Sequence, residues 1–163
     1  MRMELIQPFI NAADAVLAQT LQAPTTVGEV SMEEEAYRTK GIAALVRVAG
    51  DIEGRVIFDL EPSTAKGVTA KLTGDDAAAE EMVPEAICEL ANQVIGNAVT
   101  VLNDQGFHFK VLPPEIHAAA CGPQNTEDTE ALVMSFETVT GTVFMNIAMH
   151  YNRRRKGDGL AAD

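Results

Sequence analysis

Residues 41–60 read GIAALVRVAGDIEGRVIFDL, and this stretch indicates the fold class of the chain. Its two halves, Gly41–Ala49 and Gly54–Leu60, are rich in β-branched and other apolar residues, which favour strands. Gly50 and Asp51 stand between them, and both residue types are typical of tight turns. The stretch therefore predicts an antiparallel β-hairpin.

A second stretch later in the chain resembles this hairpin. Ala131–Val139 and Gly141–Tyr151 are also strand-like. When Ala44–Phe58 is laid over Ala131–Met145, five of the fifteen positions are identical, including the run Ala-Leu-Val. Each hairpin follows an amphipathic helix at some distance. The chain therefore contains either two copies of a helix-plus-hairpin unit, which we favour, or two hairpins that are alike without a duplication.

Three segments have the pattern of amphipathic helices. Met3–Leu21 repeats apolar residues every three or four positions, as one buried helix face requires. A second helix is predicted over Glu61–Leu72, and Asp75 or Asp76 is expected to cap a further helical stretch. The longest helix is predicted from Pro84 to about Asn103.

The remaining segments are less regular. The segment at 27–37 is either an edge strand, because Val30 and Met32 alternate with polar residues, or a loop. Polar composition predicts a loop at 122–129 and a disordered tail at 152–163, which carries the basic run 153–156. Two short strands separated by Pro113 and Pro114 are predicted at Phe107–Leu112 and Ile116–Ala120.

Composition excludes several classes of function. The chain has 163 residues, with 12 Lys and Arg against 24 Asp and Glu, which gives a net charge of −12. This acidity argues against binding nucleic acid or an anionic membrane through a positive field. The two cysteines form no CxxC pair, and the three histidines are not at metal-ligand spacings, so no metal site is predicted. Without a signal peptide or a long apolar run, the protein is expected to be soluble and cytoplasmic.

The predicted helix at 84–103 carries the residues that could do chemistry. Glu85, Glu89, Asn92 and Gly96 are spaced by four, three and four, so they are neighbours on one helix face. Such a face is either a solvated surface or a positioning device, since an amide can hold a water and a carboxylate can hold an ammonium group. Gly96 is unfavourable inside a helix, which suggests either close approach of another group or helix–sheet packing. No phosphate-binding glycine loop accompanies this face, so the rest of any site would come from elsewhere.

At this helix the sequence resembles the CheC/CheX/FliY family of bacterial chemotaxis phosphatases. The family motif is Asp or Ser, three residues, Glu, two residues, Asn, and about 21 residues to a Pro. Here Glu89 and Asn92 lie within ELANQVIGN, and Pro114 follows Asn92 after 21 residues. Glu85 stands where the family usually has Asp or Ser, so its role is open. The resemblance extends over Met3–Tyr151 and includes QPFINAADAVL near the amino terminus.

The resemblance implies an α+β fold, in which long helices pack on an antiparallel sheet, with one phosphatase domain at 1–151. It implies hydrolysis of the aspartyl phosphate of a CheY-type response regulator, with Asn92 placing the attacking water and Glu89 engaging the regulator's lysine. Gly96 and Pro114 would support them, and Mg²⁺ would belong to the regulator. Pro8 replaces the motif's Glu ahead of Asn11, which leaves one site per chain, as in CheX. A homodimer through sheet edges is also implied, and the alternative is a non-catalytic module that docks a regulator or a flagellar partner.

Overall fold

The protein forms an antiparallel β-sheet with helices packed on one face. The computed structural model describes residues 3–34, 37–75, 80–118 and 130–152. The predicted loop at 122–129, the tail from 153 onward and Cys121 lie outside these ranges. The described elements, in chain order, are α1 (Met3–Leu21), β1 (Thr26–Glu33), β2 (Ile42–Gly50), β3 (Ile52–Leu60), α2 (Pro62–Thr73), a single 3-10 turn (Glu80–Met82), α3 (Val83–Asp104), β4 (Phe109–Val111), β5 (Glu115–Ala118), β6 (Ala131–Thr138) and β7 (Gly141–Tyr151).

The two predicted hairpins form the centre of the sheet. The strand order is β1-β6-β7-β3-β2-β4, and β5 also pairs with β2, so β3 and β7 lie side by side. Every described strand pair is antiparallel, which confirms the α+β prediction. The arrangement is pseudo-symmetric about the β3–β7 pair, since further strands flank each hairpin: β1 beside β6, and the short β4 and β5 beside β2.

Both predicted hairpins exist, but the residue-by-residue overlay does not extend to their strand registers. Ala44 lies opposite Phe58, so the overlay predicts that Ala131 lies opposite Met145. Instead, Met145 lies opposite Met134. The two turns differ in length, because one residue joins β2 to β3 whereas two residues join β6 to β7. A shared sequence pattern therefore does not carry a shared register.

One continuous core fills the space between the sheet and the helices. Strand residues alternate between the two faces, so every second side chain of β2 and β3 points toward the helices. The three helices contribute their apolar faces to the same core. The largest fully buried apolar side chains of this core are Leu5, Ile6, Phe9, Leu17, Ile52, Phe58, Leu60, Ile87 and Phe136.

The opposite face of the sheet buries polar side chains, which the sequence analysis did not anticipate. Arg55 is buried and donates a hydrogen bond to Oδ1 of Asn146 on the neighbouring strand. Asp59 is fully buried and accepts bonds from the Tyr37 hydroxyl (2.6 Å) and the Lys40 backbone N–H (2.6 Å). Burial, followed by the hydrogen bond and charge of Asp59, raises the pKa of Tyr37. Asp59 thereby anchors the segment that leads into β2.

Several element boundaries differ from the predictions for local reasons. The ambiguous segment is an edge strand, β1, which confirms one of its two interpretations. Phe107 does not begin a strand, because its N–H donates to the Leu102 carbonyl and closes the end of α3. The N–H of Asp75 donates to the Ala70 carbonyl at the end of α2, and the start of the helical stretch that Asp75 or Asp76 was predicted to cap, residues 76–79, lies outside the described residues. The next described element is the 3-10 turn that leads into α3.

Candidate functional site

Helix α3 is a rigid element with one buried face. Pro84 lies in its first turn, where the missing N–H costs no hydrogen bond. The helix packs against α1, α2, β2 and β5. The residues that it buries recur at three- and four-residue steps: Ala86, Ile87, Leu90, Ala91, Val94, Ile95, Ala98 and Leu102. Because this face is fixed, the residues on the other face project from a stable platform.

The opposite face of α3 presents the four candidate residues as a continuous exposed stripe. Glu85, Glu89, Asn92 and Gly96 are all exposed, as their four-three-four spacing predicts. From Glu85 to Gly96 the helix rises by about 16 Å. We refer to these four residues as the α3 stripe.

Within the stripe, two carboxylates lie beside one free amide. No hydrogen bond joins the Asn92 amide to another side chain in the described ranges. Glu89 accepts a hydrogen bond at Oε1 from Nε2 of Gln93 (3.4 Å), one helical turn further on. Sequence reasoning missed Gln93, although its four-residue spacing from Glu89 was the available signal. Gln93 restricts the carboxylate, whereas the Asn92 amide stays available to solvent.

The half-buried Cys88 precedes Glu89 on this helix. Burial, followed by the charge of Glu85, raises the pKa of the Cys88 thiol. A thiol with a raised pKa stays protonated near neutral pH and is a poor nucleophile. The arrangement therefore favours positioning chemistry by Glu89 and Asn92 over covalent catalysis by Cys88.

The structure decides between the two interpretations of Gly96 that the sequence left open. A Cβ atom built on Gly96 meets no other atom within 4 Å, so helix–sheet packing does not require a glycine there, and that interpretation is wrong. Gly96 is not among the glycines with positive φ, so its backbone conformation does not require a glycine either. The residue nevertheless costs about 1 kcal/mol of helix stability relative to alanine. Its carbonyl accepts a hydrogen bond from the Thr100 hydroxyl (3.0 Å).

The two other motif positions lie on different elements. Pro114 is half-buried in the connection between β4 and β5, at the sheet edge where β5 packs against α3. On α1, Asn11 is exposed and accepts a hydrogen bond at Oδ1 from Nε2 of Gln7 (2.9 Å), while Pro8 occupies the place of the motif's Glu. A groove of about 520 Å³ separates this part of α1 from α3.

Within the described ranges, no three His, Cys, Asp or Glu side chains come together in a way that could hold a metal ion. No helix in the part of the chain that the structure describes has the length and apolar character needed to cross a membrane. At the sheet edge, the Glu115 carboxylate pairs with Arg47 (3.4 Å) and with His117 (3.4 Å).

Comparisons with known proteins give a family match and several similar solved structures. Residues 42–137, more than half of the chain, match the family model described as chemotaxis phosphatase CheX. A CheC-like superfamily protein from Shewanella sp. PV-4 superposes with a TM-score of 0.80 at 20% identity, covering 92% of this chain and 99% of that one. CheX from Desulfovibrio desulfuricans gives 0.77 at 19% identity, covering 90% and 99%.

A third solved structure contains a partner. It is the complex of CheX, CheY, BeF₃ and Mg²⁺ from Borrelia burgdorferi, with a TM-score of 0.72 at 28% identity, covering 91% of this chain and 99% of that one. A search of curated proteins gave no match.

Proposed function

Since this chain belongs to the chemotaxis phosphatase CheX family, we propose that it hydrolyses the aspartyl phosphate of a CheY-type response regulator. The observation that carries the proposal is the exposure of Glu89 and Asn92, three residues apart, on one face of a helix whose other face is fixed in the core. Hydrolysis of an acyl phosphate needs a positioned water and stabilised charge more than it needs covalent chemistry by the protein. The two side chains suit those needs.

Asn92 places the attacking water. Its amide oxygen can accept a hydrogen bond while its NH₂ group donates one, so a single side chain can orient a water relative to the phosphorus atom. Because no described side chain occupies this amide, it needs no rearrangement before it reaches the phosphate. A rigid helix also reduces the entropy lost when water and phosphate are brought together.

Glu89 engages a lysine of the regulator. Neither α1 nor α3 contains a Lys or Arg, while together they carry Glu4, Asp14, Glu85, Glu89 and Asp104. Such an acidic surface would repel a free phosphate and attract a partner that contributes cations. The Mg²⁺ is assigned to the regulator, and the Borrelia complex of CheX and CheY contains Mg²⁺.

Glu85 and Pro114 support these two residues. Glu85 keeps the carboxylate of the family's Asp, with one more methylene, and lies one turn before Glu89 on the α3 stripe. Pro114 shapes the connection between β4 and β5 beside α3, because proline restricts its own backbone and that of the preceding residue.

We also propose a cytoplasmic homodimer that pairs through β1. This edge strand exposes Val27, Val30 and Met32, which are 46%, 54% and 49% accessible. At the opposite edge, Pro113 and Pro114 have no N–H to donate, which hinders strand addition there. The edge formed by β1 is therefore the better surface for pairing with a second copy.

The test follows phosphate loss from a phosphorylated CheY-type regulator in the presence and absence of this protein. The proposal predicts faster loss with the wild-type chain and a much slower loss with Asn92→Ala. The alternative function, a docking module without catalysis, is suggested by Glu85 at the family's Asp or Ser position. It predicts tight binding of the regulator with an unchanged rate of dephosphorylation, and that result would replace the phosphatase assignment.

A further inference from the structure

Gly96 has no explanation within the described fold. A Cβ atom at this position would meet nothing within 4 Å, and the backbone is ordinary α-helix. Other glycines of the chain are needed where they lie. At Gly41, for example, a Cβ would come within 2.2 Å of the Leu60 carbonyl oxygen. Gly96 therefore lowers the stability of the helix, and no contact within the described fold compensates for that loss.

The position of Gly96 indicates what the missing side chain permits. It lies one turn after Asn92 and one turn before Thr100, so these two side chains border a shallow depression in the helix surface. The floor of the depression is helix backbone, and the Gly96 carbonyl already accepts the Thr100 hydroxyl. An atom of a partner can therefore approach the helix axis more closely here than anywhere along the neighbouring stripe positions, which carry side chains.

We propose that a main-chain segment of the response regulator, bordering its phosphorylated aspartate, packs directly on Gly96 when Asn92 reaches the phosphate. This inference rests on the proposed function, and it adds the contact that limits how closely α3 approaches the regulator's active site. Charge favours this occupant over a second copy of the chain. Glu85 and Glu89 lie on the same face of α3 as the depression, and α1 and α3 contain no Lys or Arg, so two such faces would repel each other.

The experiment compares wild type, Gly96→Ala and Asn103→Ala. All three are titrated with a regulator loaded with BeF₃ and Mg²⁺, the combination present in the Borrelia complex. Both variants replace an exposed residue of α3 by alanine. Both should raise Tm, by about 2–4 °C for each kcal/mol of helix propensity gained. Asn103→Ala adds no atom to the stripe, so it controls for the gain in helix stability.

We expect Gly96→Ala to weaken binding of the regulator about tenfold or more, because one added methyl group in a close-packed contact forces the two backbones apart. Asn103→Ala should keep the wild-type Kd. An unchanged Kd for Gly96→Ala would overturn the inference, even if Asn92→Ala abolished activity and so upheld the proposed function. A change in the dimerisation constant of Gly96→Ala with an unchanged Kd for the regulator would overturn it in favour of self-association. If wild type binds the regulator without hydrolysis, the proposed function fails, while the ratio of the two Kd values still decides the role of Gly96.

Discussion

Replacing Asn92 by alanine should separate activity from stability. The side chain is exposed, and no described side chain hydrogen-bonds to it, so its removal leaves no buried polar group without a partner. Alanine also has the higher helix propensity, by up to about 0.7 kcal/mol. The variant should therefore fold and be as stable as wild type, or slightly more so. If Asn92 positions the attacking water, its loss should cost about 2.7–4 kcal/mol of transition-state stabilisation, by analogy with removal of a preorganised donor from an active site. This corresponds to a 10²–10³-fold slower reaction.

The matched control is Asn97→Ala, which removes the same side chain from the same helix five residues further on. Asn97 is also exposed, but it lines the groove toward α1 and does not lie on the α3 stripe. Phosphate release from a radiolabelled regulator is followed under single-turnover conditions, with protein in excess of its Kd. Urea unfolding of each variant is measured in parallel. Wild-type rates for Asn92→Ala would refute the assigned role, and an equal loss in Asn97→Ala would show that the assay reports general damage to the helix.

Three further substitutions test other parts of the argument. Glu89→Gln should raise the Kd for the regulator about tenfold and make this Kd less dependent on salt, because the substitution removes a charge-assisted contact with lysine. Equal salt dependence of the Kd for wild type and Glu89→Gln would contradict this role. Asp59→Ala should lower the free energy of unfolding by about 3–5 kcal/mol in urea melts, because the Tyr37 hydroxyl and two backbone N–H groups lose their buried acceptor. A loss below about 1 kcal/mol would show that water replaces the carboxylate. The double change Val30→Lys and Met32→Lys should shift the protein toward monomer in sedimentation experiments, since charged side chains oppose pairing of edge strands, whereas an unchanged dimer would place the interface elsewhere.

The sequence pattern predicted well those helices and strands that have one buried and one exposed face. The predicted helix at Met3–Leu21 agrees with α1 at both ends, because its apolar stripe faces a single core. The segment with Val30 and Met32 stayed ambiguous because all but one residue of β1 is exposed. An edge strand whose side chains are solvated on both faces has little periodic signal to read.

Long-range pairing could not be predicted from the sequence. The overlay of the two hairpins matched residue types, but it could not detect that Met145 pairs three positions away from the expected partner. Nor did it reveal that Arg55 and Asp59, which are charged and therefore usually exposed, lie on a buried face. Their burial depends on Asn146 from another strand and on Tyr37 from a preceding segment, and these contacts arise only after the sheet has assembled.

For the candidate site, the sequence predicted that the four residues of the α3 stripe share one helix face, but it did not explain why one of them is a glycine. The four-three-four spacing alone predicts that Glu85, Glu89, Asn92 and Gly96 share one face, because helical geometry is local. Whether Gly96 served packing within the fold or contact outside it depended on what surrounds its missing Cβ, and that is a property of the tertiary structure.

The energetics of the stripe argue against its being an ordinary solvated surface. Relative to alanine, asparagine and glycine inside a helix together cost about 1.5 kcal/mol, and an exposed helix face has no packing to offset that loss. Residues that lower stability without an intramolecular gain are typical of sites where function and stability conflict. Asn92 and Gly96 are one turn apart, beside the carboxylate of Glu89. The loss of helix stability is therefore concentrated where, in the proposal, a water and a partner's backbone would meet. The acidic charge of the same face would repel a phosphate unless its bearer brought cations along. Both the stability and the charge of α3 therefore agree with the proposed active site, which another protein would complete.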